Sequence, residues 1–154
     1  MADDAPLPRP TPTPLAVIDL LATVDGSVRR RFDDVLGQWH GLNRMDLRFL
    51  RLLRDAPDGR LPRAELAAAL SVSPSVAARR LGPMERMGLV TRTERDAAAG
   101  QVELTLTEAG QELADNADRT ARELAADLLE TRYTLDDLDT LVELLGRLDP
   151  DLQI

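Results

Sequence analysis

The chain has 154 residues, of which 44% are hydrophobic and 3% aromatic, and its net charge is −8. That length suits one domain, with a core drawn mainly from Leu, Val and Ala, as in helical proteins. Cysteine is absent and there is one His, which excludes disulfides and thiol switches and leaves no N or S ligand set for a zinc site.

No signal pattern opens the sequence and no apolar run has the length of a membrane span; a cytoplasmic location without membrane contact is expected. Prolines at positions 6, 8, 10, 12 and 14 remove backbone donors and favour an extended chain, so residues 1–14 read as a disordered or semi-rigid arm. From Leu15 to Gln38 the apolar residues Leu21, Val24, Val28, Phe32, Val35 and Trp39 step by three or four, the pattern of a long amphipathic helix. Arg29-Arg30-Arg31 interrupts it, and helical spacing should bring at least one of the three toward the apolar stripe. The triplet either pairs with Asp25, Asp33 and Asp34 or touches phosphate.

Trp39-His40-Gly41-Leu42-Asn43 ends that helix. Asn43 can cap the next one, with Asp46 in the first turn and Leu47, Leu50 and Leu53 marking its faces. Asp55-Ala56-Pro57-Asp58-Gly59 is a turn. Pro62 suits the first turn of a third helix, on which Leu66 and Leu70 share a face and Ala67 to Ala69 keep the surface small. Ser71-Val72-Ser73-Pro74 breaks the pattern, with Ser73 as N-cap and Pro74 opening a fourth helix. That helix carries Val76, Ala77, Leu81 and Met84 toward a core and offers Ser75, Arg79 and Arg80 outward. Two short helices joined so tightly read as a helix-turn-helix, whose second helix enters the DNA major groove.

Gly88 stops the fourth helix, and Leu89 to Thr93 alternates as a strand does. Glu94 to Gly100 reads as a polar turn, and Val102, Leu104 and Leu106 alternate in a second strand. The pair makes a hairpin, the wing of a winged helix. Thr107 can cap a long helix in which Gly110 is tolerated, with Leu113, Ala117, Ala121, Leu124 and Leu128 as its stripe and Asp115 and Asp118 among the residues on the solvated side. Thr134 caps a last helix, with Leu138, Leu141, Leu145 and Leu148 on one side. One lobe cannot easily hide all these stripes, so a homodimer built from the terminal helices is expected.

The ordered set resembles the MarR family of bacterial transcriptional regulators. The carrying residues are Leu66-Ala67, Ser73-Pro74-Ser75, Met84 to Val90, and Leu106-Thr107-Glu108-Ala109-Gly110, and the likeness spans roughly residues 15–150. It implies a mainly α fold with a small β hairpin: a winged helix-turn-helix lobe over 44–106, and dimerisation helices over 15–43 and 107–150. It also implies that effectors lodge near the second helix, making Trp39, His40 and Arg44 a candidate wall for a small aromatic or phenolic compound. The competing reading of Trp39 and His40 is packing.

The distribution of charge fits such a lobe. Between Arg60 and Arg95 seven Arg face three Glu, a local +4, while the rest of the chain carries −12. Candidate DNA contacts are Ser73, Ser75, Val76, Arg79 and Arg80 at the recognition helix, with Arg92 and Arg95 at the backbone beside the wing. Two features depart from the family. The wing tip reads Ala98-Ala99-Gly100 in place of an Arg-bearing triplet, and Pro83 inside the recognition helix should kink or tighten it near Arg79. No catalytic triad, phosphate-cradling loop or paired carboxylate is visible, so neither an enzyme nor a cofactor is expected. The expected function is sequence-specific transcriptional regulation, most simply ligand-responsive repression at a pseudo-palindromic operator. The alternative is a winged-helix dimer that binds protein rather than specific DNA.

Overall fold

The computed structural model describes residues 13–96 and 101–148. In that range the chain forms six α-helices and a three-stranded antiparallel sheet. Helix α1 spans Pro14–His40. Thr13 caps it by accepting from the Ala16 amide, so Pro14, expected in the arm, is the first helical residue. Gly41 ends it at φ 67°, a left-handed conformation that a side chain would strain. Four of the six expected stripe residues, Leu21, Val28, Phe32 and Val35, are half-buried. Leu36, outside it, is the fully buried residue, whereas Val24 is exposed and Trp39 is 71% exposed. Over a helix this long the burial face drifts around the axis, and a three-to-four step cannot locate it. Arg29, Arg30 and Arg31 are all exposed, so none approaches the stripe.

Helix α2 (Arg44–Arg54) opens with a reciprocal capping box: Asn43 Oδ1 accepts from the Asp46 amide at 2.9 Å, and Asp46 Oδ2 accepts from the Asn43 amide at 3.1 Å. It buries Leu47, Phe49, Leu50 and Leu53. A one-turn 3₁₀ segment (Pro57–Gly59) leads into β1 (Arg60–Pro62). This strand was not expected, and Pro62 is its last residue and the N-cap of α3 rather than a helical one. Helix α3 (Arg63–Ala69) and helix α4 (Pro74–Arg86) are joined through Ser71 at φ 53° and Ser73, the α4 N-cap. Helix α4 runs unbroken through Pro83.

Strand β2 (Val90–Asp96) and strand β3 (Gln101–Leu106) form the wing, with β3 central in the order β1-β3-β2. The hairpin is thus widened to a sheet by Leu61 opposite Leu104. Strand β2 starts one residue later than expected and runs on through Asp96, with a register shift between Glu94 and Asp96. The wing-tip expectation at Ala98-Ala99-Gly100 lies outside the described residues, as does the arm before Thr13.

Helix α5 (Glu108–Leu129) is capped by Thr107 and buries Ala114, Ala117, Asp118 and Ala121. Gly110 is required rather than tolerated, since a Cβ there would sit 2.0 Å from the Leu89 carbonyl oxygen. Asp118 is buried too, against the expected solvated side. The core lies where Leu36, Phe49, Leu50, Leu53, Leu66, Leu81 and Leu104 meet, joining α1 to the winged lobe. Helix α6 (Leu135–Gly146) carries a second capping box, Thr134 with Asp137, and buries nothing. Leu135, Leu141, Val142, Leu144 and Leu145 stand exposed on it. Among the described residues no helix is long and apolar enough to cross a membrane.

Candidate nucleic-acid interface

Helix α4 is two-faced by sequence. Ala77, Leu81 and Met84 recur at helical spacing and are buried, which leaves Ser75 and Arg79 on the opposite, exposed side. At its N-terminus Ser73 Oγ accepts from the Val76 amide at 3.4 Å and shares a 3.0 Å hydrogen bond with Ser75 Oγ. Val76 is half-buried at the edge of this surface. The exposed amide end of α4 and its two hydroxyls suit phosphate oxygens, and Arg79 makes no ion pair with a described residue.

Two of the other expected contacts, Arg80 and Arg92, are spoken for within the fold. Arg80 Nη1 lies 2.7 Å from Asp46 Oδ1 and 3.4 Å from Asn43 Oδ1, so it closes over the α2 capping box and is half-buried there. Arg92 forks onto Glu85, with Nε and Nη2 each donating at 2.8 Å, which ties the base of the wing to the end of α4. Arg60 sits 4.0 Å from Glu103. Three of the seven arginines in the basic island are therefore neutralised in place, and Arg63, Arg79 and Arg86 are left without an ionic partner among the described residues. Arg95 lies on β2 at the register shift. The sequence holds a signal for the Arg80 pair in Asp46, because a charge that caps one helix can serve a second helix as well.

The expected effector wall is divided. Trp39 and His40 line a groove between α1 and α5 with Val35, Thr120, Glu123 and Leu124. His40 Nε2 is hydrogen-bonded to Thr120 Oγ1 at 2.9 Å, so it also fastens the two helices. Arg44 is not there. Its amide donates to Asp33 Oδ1 at 2.7 Å, its guanidinium reaches Asp25 at 3.4 Å, and it lies over the Phe32 ring at 5.9 Å. Charges on α1 outbid the groove for this cation. Among the described residues, no group of three or more His, Asp or Glu is placed to hold a metal ion.

Residues 40–100, from the end of α1 through the wing, match the model of the MarR family. Over its winged-helix lobe, the chain is similar to the MarR family. Solved structures extend the likeness to the terminal helices. Sco3205, a MarR family transcriptional regulator from Streptomyces coelicolor in complex with DNA, superposes with a TM-score of 0.79 at 19% identity, over 92% of this chain and 94% of that one. AbsC, a MarR family regulator from the same organism, gives 0.75 at 22% identity over 94% and 97%. NadR in complex with 4-hydroxyphenylacetate gives 0.68 at 24% identity over 91% and 97%. At these identities the likeness establishes the MarR fold, winged lobe and flanking helices together. No curated protein matches the chain in sequence.

Proposed function

We propose that the chain is a transcriptional regulator that binds double-stranded DNA as a homodimer, acting most simply as a repressor at a pseudo-palindromic operator. The observation that carries this is the exposed Ser75–Arg79 side of α4, backed by the buried Ala77, Leu81 and Met84. The dimer rests on the apolar side chains of the terminal helices, Leu15, Ile18, Leu141 and Leu145 among them, which this single chain leaves in water. A twofold axis through those helices would set two α4 helices about one turn of DNA apart, roughly 34 Å. Residues 15–43 and 107–150 would then form the dimer region and 44–106 the reading lobe.

Ser73 and Ser75 would meet phosphate, Arg79 a base edge, and Arg95 the backbone beside the wing. The groove beside Trp39 is the place for an effector. A neutral aromatic compound suits it better than the carboxylate of a phenolic acid, which would face Glu123 with Arg44 held elsewhere. A protein-binding role is favoured by the neutralisation of Arg80 and Arg92 and by the net charge of −8.

Selection of bound fragments from random or genomic DNA decides between the two. DNA binding predicts an enriched half-site repeat, with affinity that falls steeply as salt rises because counterions are released. A protein that enriches no fragment at low salt has another role.

A further inference from the structure

We infer that Arg80 is a positioning residue: it fixes the rotational setting of the recognition helix by clasping the capping box of α2, and does not itself read DNA. The inference rests on the DNA-binding reading above and assigns the work within that site. Only one guanidinium nitrogen, Nη1, makes the contact, at 2.7 Å from Asp46 Oδ1 and 3.4 Å from Asn43 Oδ1. The same carboxylate already accepts the Asn43 amide through Oδ2, and Asn43 Oδ1 already accepts the Asp46 amide. Arg80 thus closes a ring of bonds whose members are rigid before it arrives. Its side chain is one-third exposed and that of Asp46 one-fifth, so the pair is shielded from full screening.

The apolar seat of α4, made by Ala77, Leu81 and Met84, gives burial without direction. A charge-assisted hydrogen bond supplies direction. Successive residues on a helix stand about 100° apart, so the angle at which Arg80 is held decides where the adjacent Arg79 points. The clasp is also joined to α1. Arg44, the residue after Asn43, donates its amide to Asp33, so the corner between α1 and α2 is anchored on the terminal-helix side. A continuous set of bonds therefore runs from α1 through this corner to α4.

The test uses full-length protein, the duplex that wild type selects from a random library, and an unrelated duplex of equal length. Asp46→Asn removes a negative charge near the DNA face, which by charge alone would tighten binding to both. Positioning predicts the reverse for the selected duplex: Asp46→Asn and Arg80→Ala each weaken it roughly tenfold, while the unrelated duplex is bound as well as before or better. Arg80→Lys should stay within about threefold of wild type, because one ammonium can replace one nitrogen at a single contact, whereas a forked contact to guanine could not survive the change. Equal loss in Arg80→Lys and Arg80→Ala with Asp46→Asn unchanged would show Arg80 reading a base. Unchanged selectivity in both Arg80→Ala and Asp46→Asn would remove any role. If Asp46→Asn melts below the assay temperature, the Lys and Ala variants of Arg80 decide alone. A wild type that selects no duplex overturns the DNA-binding reading itself, a result distinct from either variant pattern.

Discussion

Arg54 on α2 and Asp118 on α5, separated by 64 positions in the chain, meet at 3.4 Å. Asp118, with its side chain only 5% exposed, also receives Arg122 at 2.8 Å, and its Oδ1 faces Arg51 Nε at 3.2 Å in a charge contact without hydrogen-bond alignment. The Arg54 guanidinium is held charged well above its ordinary range by its bond to Asp55 first, then by the charges of Asp55 and Asp118 and a bond to Asp115. Removing the carboxylate takes a buried acceptor from three arginines at the seam between the reading lobe and α5, although Arg54 keeps Asp55 and Asp115. Asp118→Ala should cost about 1–3 kcal/mol of folding stability in urea titration, the range for losing hydrogen bonds to a charged group. A loss near zero would mean that the seam is held by its alanines alone.

Two glycines should respond with opposite signs. At Gly110 an added Cβ meets the Leu89 carbonyl oxygen at 2.0 Å, and backbone cannot step aside as a flexible side chain can. Gly110→Ala should destabilise by about 3 kcal/mol or more. At Gly82, inside α4, the same atom meets only the mobile end of Arg86 at 3.6 Å. Gly82→Ala should stabilise by about 1 kcal/mol, the helix propensity difference. Thermal melts of the two variants beside wild type give both answers.

Acid should loosen the fold through two carboxylates with lowered pKa. Asp55 is held below the usual value of 3.8, chiefly by the hydrogen bond from Arg54 against the opposing effect of burial, and Asp137 by its bonds from the Thr134 hydroxyl and amide. A depressed native pKa means that the stabilisation is complete above the unfolded-state value, about 4, and disappears as pH falls through the native one. Denaturant midpoints should therefore hold steady from pH 7 to 5 and drop below pH 4. Asp55→Asn should flatten part of that drop while lowering the midpoint at pH 7. An equally steep acid limb in the variant would exclude Asp55 as a contributor.

At the DNA face, Arg79→Ala should cost about 1–3 kcal/mol and relax preference at one base pair per half-site. Arg95→Ala should weaken all sequences alike and make the salt slope shallower by about one. Arg92→Ala releases the Glu85 carboxylate from its fork, so it too should weaken every duplex without altering preference. Competition binding against single-base variants of the selected site separates these cases. If Arg79→Ala leaves preference intact and Arg95→Ala changes it, the wing is the reader.

The terminal helices carry the last prediction. Wild type should sediment as a dimer at micromolar concentration, and truncation before Thr134 should yield monomers or aggregates, because α6 leaves Leu135, Leu141, Leu144 and Leu145 exposed. A well-folded monomer over the same range would refute the assembly.

Most helices were legible because their ends are signed: Asn43 with Asp46, Ser73 with Pro74, and Thr134 with Asp137 cap where the sequence says they should. Strand β1 was not, since three residues ending in Pro62 carry no alternation, and their partner Glu103 to Thr105 lies far along the chain. Asp118 was misplaced for a related reason. Acidic residues default to solvent, and the arginines that overrule that default come from α2 as well as from its own helix. At the DNA face the outward side of α4 was readable from periodicity. Which arginine is free on it was not, because that depends on Asp46 and Glu85 across tertiary contacts.

The two ends of the wing are fastened to each other at their root. The Thr107 amide donates to the Leu89 carbonyl at 3.0 Å, its hydroxyl to the Gly88 carbonyl at 2.6 Å, and Gly110 presses α5 against the same spot. Strands β2 and β3 thus leave and re-enter the lobe through a closed ring of bonds. Doubling the length of such a connection costs only about 0.6 kcal/mol of closure entropy. A longer or more basic connection spliced in between β2 and β3 could therefore be judged by its contacts alone.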